Sequence, residues 1–563
     1  MNERLRARTR LSKASSAVAL GWCWLGLPAC GGVDDGGASG EGQAGNELRN
    51  SDPNTDEPST GCAGRAQGTL TASSASVSLG QSVTLTWHAS IAGGCGNVSF
   101  HLGSAAAVAA SGSMTVTPQA NISYSLTAVG PGVAVYLATV SLNVALPPAV
   151  TITANNQIPM LAQALATPGE QITVQNQVDM DMSYLENIVI AAGVTLRGGR
   201  TPRDPGPRFR TTTRPSPLFL VKGDGVHITG VRIEGPDMGV PGDDEVQVAI
   251  YDNSFVNVQI DNNELSGWSG SAVKIEDDGQ RIDYVANPET VHVHDNYIHN
   301  NQHEGRQGYG VVIGNGAYAL IDQNVFDWNR HAIAGDGSSG SGYHAFRNLV
   351  LPNGGLHRWV LGFWTHTHQF DMHGQSSCGV GAVIEEIGSA LDISDDPTIF
   401  NCGTAGHDMF IRDNTFLYTD GPDIKLRGTP ELSPWGMTVA NNVFANNDIN
   451  DAVQQAESGL LIEDDNQTGF DGSAVLGSCD FDADGVNDSF MATGTTWWFS
   501  ARGTGPWTYL NTSTKRLPDV SLGYFDADPR CDVSAGGTVY SGGKPVNLRA
   551  SILATTVKAK LAF

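Results

Sequence analysis

Basic residues are scarce in this chain: 32 Lys and Arg stand against 58 Asp and Glu, a formal charge of −26. Such a surface repels phosphate backbones, which excludes nucleic acid as a partner. Aromatic residues are few at 7%. No long helical pattern occurs, so helix-bundle classes drop out. Beyond the first thirty residues no run reaches the roughly eighteen apolar residues that a membrane-spanning helix needs. Closely spaced Cys-x-x-Cys pairs are missing, which argues against zinc-thiolate and redox sites. What is abundant is glycine, 68 residues in all, alongside a 40% hydrophobic share. That balance suits a loop-rich, all-β globular protein, and 563 residues exceed one ordinary core.

The N-terminus carries Arg4, Arg6, Arg8, Arg10 and Lys13, then the apolar run "AVALGWCWLGLPA". A basic segment followed by an apolar core of this length predicts a signal peptide over residues 1–29. The sequence "LPAC" resembles the lipobox of bacterial lipoproteins, which implies diacylation of Cys30 and membrane contact through that lipid anchor only. Gly31 and Gly32 follow the cysteine, so the resemblance implies an outer-membrane or cell-surface lipoprotein; ordinary secretion is the alternative. Cleavage removes four net positive charges and leaves −30 on the mature chain. Residues 30–60 are small, polar and acidic, and read as a flexible tether. Six cysteines then remain, in three sequence-local pairs: Cys62 with Cys95, Cys378 with Cys402, and Cys479 with Cys531. In an exported chain these read as disulfides, although six cysteines permit fifteen connectivities.

Residues 61–147 hold short alternating strands with glycine turns between them. "SVTLTWHA" sends Val83, Leu85 and Trp87 to one face; Ile122, Tyr124 and Leu126, then Val140, Leu142 and Val144, repeat the pattern. The segment predicts a β-sandwich and resembles bacterial Ig-like modules. Next, "IPMLAQALATPGEQITV" places Met160, Leu161, Ala164 and Leu165 on one face of a short helix stopped by Pro168-Gly169. A helix capping an otherwise open edge protects it from pairing with another chain. With the strand that follows, this resembles the entry to right-handed parallel β-helices of the pectate-lyase-like superfamily.

Repeats across 148–456 strengthen that resemblance. "VQIDNNEL", "VHVHDNYI", "ALIDQNVF", "MFIRDNTF" and "MTVANNVF" superpose without gaps on Asn263, Asn296, Asn324, Asn414 and Asn442, with Asn348 in a shorter match. An asparagine at a fixed corner of each coil stacks into a hydrogen-bonded ladder and tolerates a left-handed turn. A second series, "AIYD", "VKIED", "VVIGN", "HAIAGD" and "DIKLRG", is aligned on Ile250, Ile275, Ile313, Ile333 and Leu426 as inward residues. Alternation then sends Lys274, Glu276, Lys425 and Arg427 outward on one face, with Arg330 and Asp336 near its turns. That face is either a catalytic groove or a solvated charged surface. Residues 351–408 interrupt the repeat as a long insertion.

The insertion contains "WTHTHQFDMHG". His366 and His368, two apart on a strand, share a face, and Asp371 and His373 complete a set able to hold a transition metal. His331 and Asp336, or His407 and Asp408, are candidates to converge with them. Two other readings stand: acid–base chemistry without a metal, and a hydrogen-bonded staple. From about 457 the chain changes character. "DFDADGVND" offers Asp480, Asp482, Asp484 and Asp488 around Gly485, hard oxygens at the alternation of a Ca²⁺ loop. It resembles the FG-GAP/VCBS calcium loop; a second copy, "YFDADPRCD", keeps only Asp526, Asp528 and Asp532.

The expected architecture is therefore an all-β chain: an Ig-like sandwich, a right-handed parallel β-helix solenoid, and a small calcium-loop module over 457–563. The superfamily resemblance implies a monomer acting on extracellular polysaccharide, as a lyase or glycoside hydrolase, or only binding it. A lyase needs a cation on the uronate and a base at C5, with Lys274, Lys425, Arg330 and Arg427 as candidates. A hydrolase needs two carboxylates, with Glu276 and Asp336 as the pair.

Overall fold

The computed structural model describes residues 65–545 apart from internal stretches, the longest being 278–290 and 375–402. The signal peptide, Cys30, the tether, and the Cys62–Cys95 and Cys378–Cys402 pairs lie outside the described residues. Among the described residues no helix is long and apolar enough to cross a membrane.

Residues 66–145 form a β-sandwich. A three-stranded antiparallel sheet (Ala66–Ala72, Val83–Ile91, Ser111–Val116) faces a five-stranded one that includes Ile122–Gly130 and Val133–Ala145. Val83, Leu85, Trp87, Leu126 and Leu142 fill the space between them. Ile122, expected inside, is exposed: it begins its strand at the sandwich rim, and the pairing shifts register after Leu126.

The main body is a parallel β-helix. Three long parallel sheets of eleven, nine and nine strands run side by side, and their inward residues form one continuous core from Ile152 to Val453. The helix Ile158–Leu165 covers its first end with Leu161, Ala164 and Leu165 buried. Met160 instead faces solvent, one step off the three-four spacing that its neighbours keep. Gly169, at φ +71°, makes the turn into the strand Gln171–Val174.

The asparagine ladder runs from Asn263 through Asn296, Asn324, Asn348, Asn414 and Asn442 to Asn466. Each side-chain amide from Asn296 to Asn442 donates to the next asparagine's Oδ1 at 2.9–3.1 Å. Each also donates to a backbone carbonyl of an inner strand, so these buried amides are satisfied. The left-handed residue is not the ladder asparagine but the one before it: Asn262, Asp295, Gln323, Arg347, Asp413 and Asn441 all have positive φ. The ladder residue needs its side chain aimed inward, while its predecessor absorbs the bend. A second, shorter ladder joins Trp268, Asn301 and Asn329 at another corner.

Two boundaries fall elsewhere than expected. Leu461–Ile462 is still a rung of the first sheet and Asn466 closes the ladder, so the solenoid continues past 456. Within 351–408, Phe370–Met372 is a rung of the third sheet, pairing with His331–Gly335 on one side and Ile424–Leu426 on the other. Phe370 and Met372 supply an inward pair, so the expected insertion contains a true rung of the solenoid.

The C-terminal segment forms two four-stranded antiparallel sheets, Ala474–Thr512 and Val520–Pro545, joined by the Cys479–Cys531 disulfide. The first packs Met491 and Trp498 onto Val325, Leu349 and Val443, which point outward from the second sheet of the solenoid. The module is therefore docked along the solenoid wall by a shared apolar core.

Candidate functional site

Register in the third sheet fixes which outward side chains are neighbours. Tyr251, Lys274, Val312, Ala334, Asp371 and Lys425 occupy successive rungs of one row. The expected alignment is out of step at some rungs: Ile250 pairs with Val273, and Ile333 with Val311 and Phe370. The slip is two residues, so inward and outward are preserved and Lys274, Glu276, Lys425 and Arg427 do share the outer face.

That face does not gather all of them. Lys274 sits three rungs from Asp371, roughly 14 Å at the usual strand spacing. Its Nζ lies 3.0 Å from Glu276, which also accepts a 2.6 Å bond from Tyr251 Oη. Asp336 accepts from the backbone amides of Asn315 and Ser338 and from the hydroxyls of Ser338 and Ser341, all at 2.8–2.9 Å. It staples its turn. Gly314 lies between Asp336 and Glu276, and a Cβ there would stand 2.9 Å from Asp336 Oδ2.

The dense cluster lies further along, around Asp371. This carboxylate is fully buried and accepts from Arg427 twice, Nε to Oδ1 and Nη2 to Oδ2, each at 3.0 Å. His373 Nε2 is 2.7 Å from Oδ2 and His368 Nε2 is 3.2 Å from it. Burial alone would raise the Asp371 carboxyl, but Arg427, then His373 and His368, outweigh it and hold it well below the usual carboxylate range. Arg427 and Lys425 are themselves 3% and 5% exposed, which makes this a desolvated ionic network. His373 is its most open imidazole, with 18% of its side chain accessible.

Behind the carboxylate, rings stack along the coil axis: Tyr309 on His331 at 5.5 Å, and His331 on His368 at 4.3 Å. His331 Nδ1 donates to the His368 carbonyl at 2.7 Å, leaving Nε2 as a bare buried acceptor. Burial first, then the nearby Arg330 charge and His368, push its pKa well down, so it is neutral. His331, His368 and Asp371 each offer a ligand atom within 4.8 Å of the others. Arg427 Nη2, 2.9 Å from His368 Nε2, already supplies positive charge there, so the donor set fits a metal poorly.

His366 does not join. Its strand, Trp364–His366, pairs with Leu356–Arg358 and ends there, so alternation breaks before His368. His366 lies half-exposed, 3.6 Å from Asp420. Asp408 faces His344 instead, at 3.3 Å. The sequence reading missed Asp423, two residues before Lys425 in the same strand region. Burial pushes its carboxyl well above the usual carboxylate range, against one bond from Asn446. The alternation of "DIKLR" carried that signal.

In the C-terminal loop, Asp480, Asp482 and Asp488 converge within 4.8 Å. Asp484 turns away to Arg502 at 2.6 Å. Burial, followed by the carboxylates of Asp488, Asp484 and Asp480, raises the Asp482 pKa. Arg203, 3.6 Å from Asp482, offsets part of the repulsion among these acids. With Gly485 bending the loop at φ +84°, the carboxylate donor set is of the kind that suits a hard divalent cation. In the second copy, Asp532 Oδ2 accepts from the Phe525 amide just as Asp488 Oδ2 accepts from Phe481, so the turn persists.

No protein-family model matches the chain, and no curated protein matches its sequence. Among solved structures it is similar to ORF18 of Geobacillus virus E2, at 12% identity and a TM-score of 0.27, over 68% of this chain and 79% of that one. It is also similar to the Dettilon tailspike protein gp208, at 11% identity and a TM-score of 0.23, over 66% and 85% respectively. Overlaps this loose say nothing about chemistry. The fold rests on the three parallel sheets themselves.

Proposed function

We propose that the protein is an exported, surface-held enzyme that cleaves an extracellular polysaccharide at the Asp371 cluster. The observation that carries this reading is the Asp371–His373 contact beside Arg427. A buried, ionised carboxylate 2.7 Å from Nε2 fixes the imidazole's orientation, as a carboxylate does for a catalytic histidine. Lyase chemistry follows most directly: His373 takes the C5 proton of a uronate, and the freed electron pair forms the C4=C5 double bond as the bond from C4 to the glycosidic oxygen breaks. The departing oxygen takes a proton from water or from the His373 imidazolium, and Lys425 or Arg427 neutralises the sugar carboxylate. This local positive charge offsets an otherwise acidic chain. The hydrolase alternative through Glu276 and Asp336 is weaker, because Asp336 is consumed by its turn. Export, the lipid at Cys30 and the Ig-like character of the sandwich rest on sequence alone. Ca²⁺ at Asp480, Asp482 and Asp488 is our reading of the C-terminal loop.

A second reading, glycan binding without cleavage, is favoured by the closure of the network: Asp371 is fully buried and its oxygens are already engaged. Ultraviolet absorbance of unsaturated products and reducing-sugar release, measured over a panel of uronate and neutral polysaccharides, separate the two. Turnover that falls about 10²- to 10⁴-fold in a folded His373→Ala variant supports catalysis. Retained binding with no turnover by the wild type on any substrate gives the site to the second reading.

A further inference from the structure

A cleft of about 240 Å³ lies where the C-terminal module meets the solenoid, at the corner between the first and second sheets. It is separate from the Asp371 cluster, which belongs to the third. One wall is built from the left-handed corners of successive coils, Asn262, Asp295 and Gln323, at φ 52°, 55° and 57°. The other is the module strand Trp507–Thr512, which brings Trp507 and Tyr509 to face Tyr297. Tyr297 is stacked on His299 at 4.1 Å, which fixes its ring.

The charges within this cleft are largely settled internally. Arg200 donates to Asn262 Oδ1 at 3.2 Å and lies 3.9 Å from Glu264. Asp261 is held by His227 and by Thr229 Oγ1. Asp295, 43% exposed and lining the cleft, pairs with its own neighbour His294 at 2.8 Å through one oxygen. Among the described residues lining the cleft the one Lys or Arg, Arg200, is already engaged, which disfavours a uronate or sulfate there. Asn262 is closed off by Arg200, and Gln323 Nε2 donates to Asp322 Oδ2 at 2.9 Å. What remains is the Gln323 carbonyl oxygen and the Asp295 carboxylate, one coil apart at roughly 4.8 Å, beside aromatic rings. Hydroxyls with a flat C–H face match that pattern: the polar groups take the hydroxyls, and Trp507 takes the apolar ring face.

We propose that this cleft binds a neutral pyranose unit of a glycan, through Asp295, Gln323 and Trp507, independently of any bond cleavage. The cleft is smaller than the ~300–1,000 Å³ of drug-sized ligand sites, which fits one sugar ring with the rest of the chain outside. It exists only because the module is docked, so docking has a use beyond covering the apolar wall.

The test is calorimetric titration of the full mature protein with cellohexaose, mannohexaose, xylohexaose and maltohexaose, with hexagalacturonate as the anionic control. Asp295→Gly and Gln323→Gly combined remove both polar groups at positions whose positive φ glycine adopts without strain, so the fold is expected to survive. Binding of at least one neutral hexasaccharide, weakened tenfold or more in the double variant at unchanged melting temperature, supports the site. The same binding undiminished in His373→Ala separates it from the cleavage reading. Failure of all four neutral probes to bind, binding of hexagalacturonate alone, or unchanged affinity in the double variant overturns it.

Discussion

Replacing Asp371 with asparagine tests the network and its chemistry together. The side chain is fully buried and takes two charge-assisted bonds from Arg427 and a close contact from His373. An amide keeps the shape but leaves the Arg427 charge without its counter-ion. Breaking one member of a buried pair costs about 3–5 kcal/mol. A solenoid of this length need not unfold in one step, so the readout is amide hydrogen exchange at the rung Phe370–Met372. Protection there should fall by roughly two to three and a half orders of magnitude. Arg427→Gln should cost a similar amount for the mirror-image reason. The double variant pairs two neutral amides, so its loss should be smaller than the sum by about 1–3 kcal/mol. Losses that add to within ~0.5 kcal/mol would refute the pair as an energetic unit. The wild-type contribution has a defined pH window. The folded carboxyl is held low, so the stability is complete above the unfolded value of about 3.9 and fades only as pH falls through the folded value. A double variant that recovers protection yet has no turnover marks the pair as more than a staple.

Asp423→Asn should stabilise the protein at pH 7. The wild-type carboxyl titrates high, so its stability is present below about pH 3.9 and drains as pH rises, at up to ~1.4 kcal/mol per unit; a variant whose pH-stability curve keeps the wild-type slope contradicts this. Calcium at a hundredfold excess over its Kd should stabilise the module by about 2.7 kcal/mol, and chelation should reverse it. Asp482→Asn should abolish that response while melting slightly higher than the metal-free wild type, since it removes one mutually repelling acid. Asn348→Ala removes two donated and two accepted bonds from the middle of the ladder, and should cost about 3–5 kcal/mol by denaturant titration. A cost under about 1 kcal/mol would mean that water replaces them.

The solenoid was legible because its signal is periodic. Alternation needs only parity, so a two-residue slip at Ile250 and Ile333 still left Lys274 and Arg427 outside. Corner chemistry was legible less finely: asparagine was visible at each coil, but the positive-φ position is its varied predecessor, Asp295 or Gln323 or Arg347. The C-terminal module was read but its docking on the solenoid was not, though the trace of that docking is present. "NVF" and "NLV" put two apolar residues in a row, and in a parallel strand that means both faces are covered. Val325 and Leu349 are the outward members, and Met491 and Trp498 cover them.

The site was legible as composition and hidden as geometry, for a physical reason. His366 and His368 are two apart, and on a strand that spacing would unite them. The strand instead ends at His366, where the hairpin returns to the solenoid, so one histidine goes to solvent and the other onto the ring stack. The residue that completes the cluster, Arg427, comes from the next coil of the same sheet, 56 positions from Asp371. Local spacing has no access to such a neighbour; only the coil register does. Where coils could be aligned from the sequence, as from Lys274 to Lys425 and Arg427, the charged residues were already on the expected face, whereas Asp371 was hidden in what reads as an insertion. This implies that the chemistry of the solenoid is written across rungs, so a substitution that shifts register by one residue would scatter the site while leaving every local motif intact.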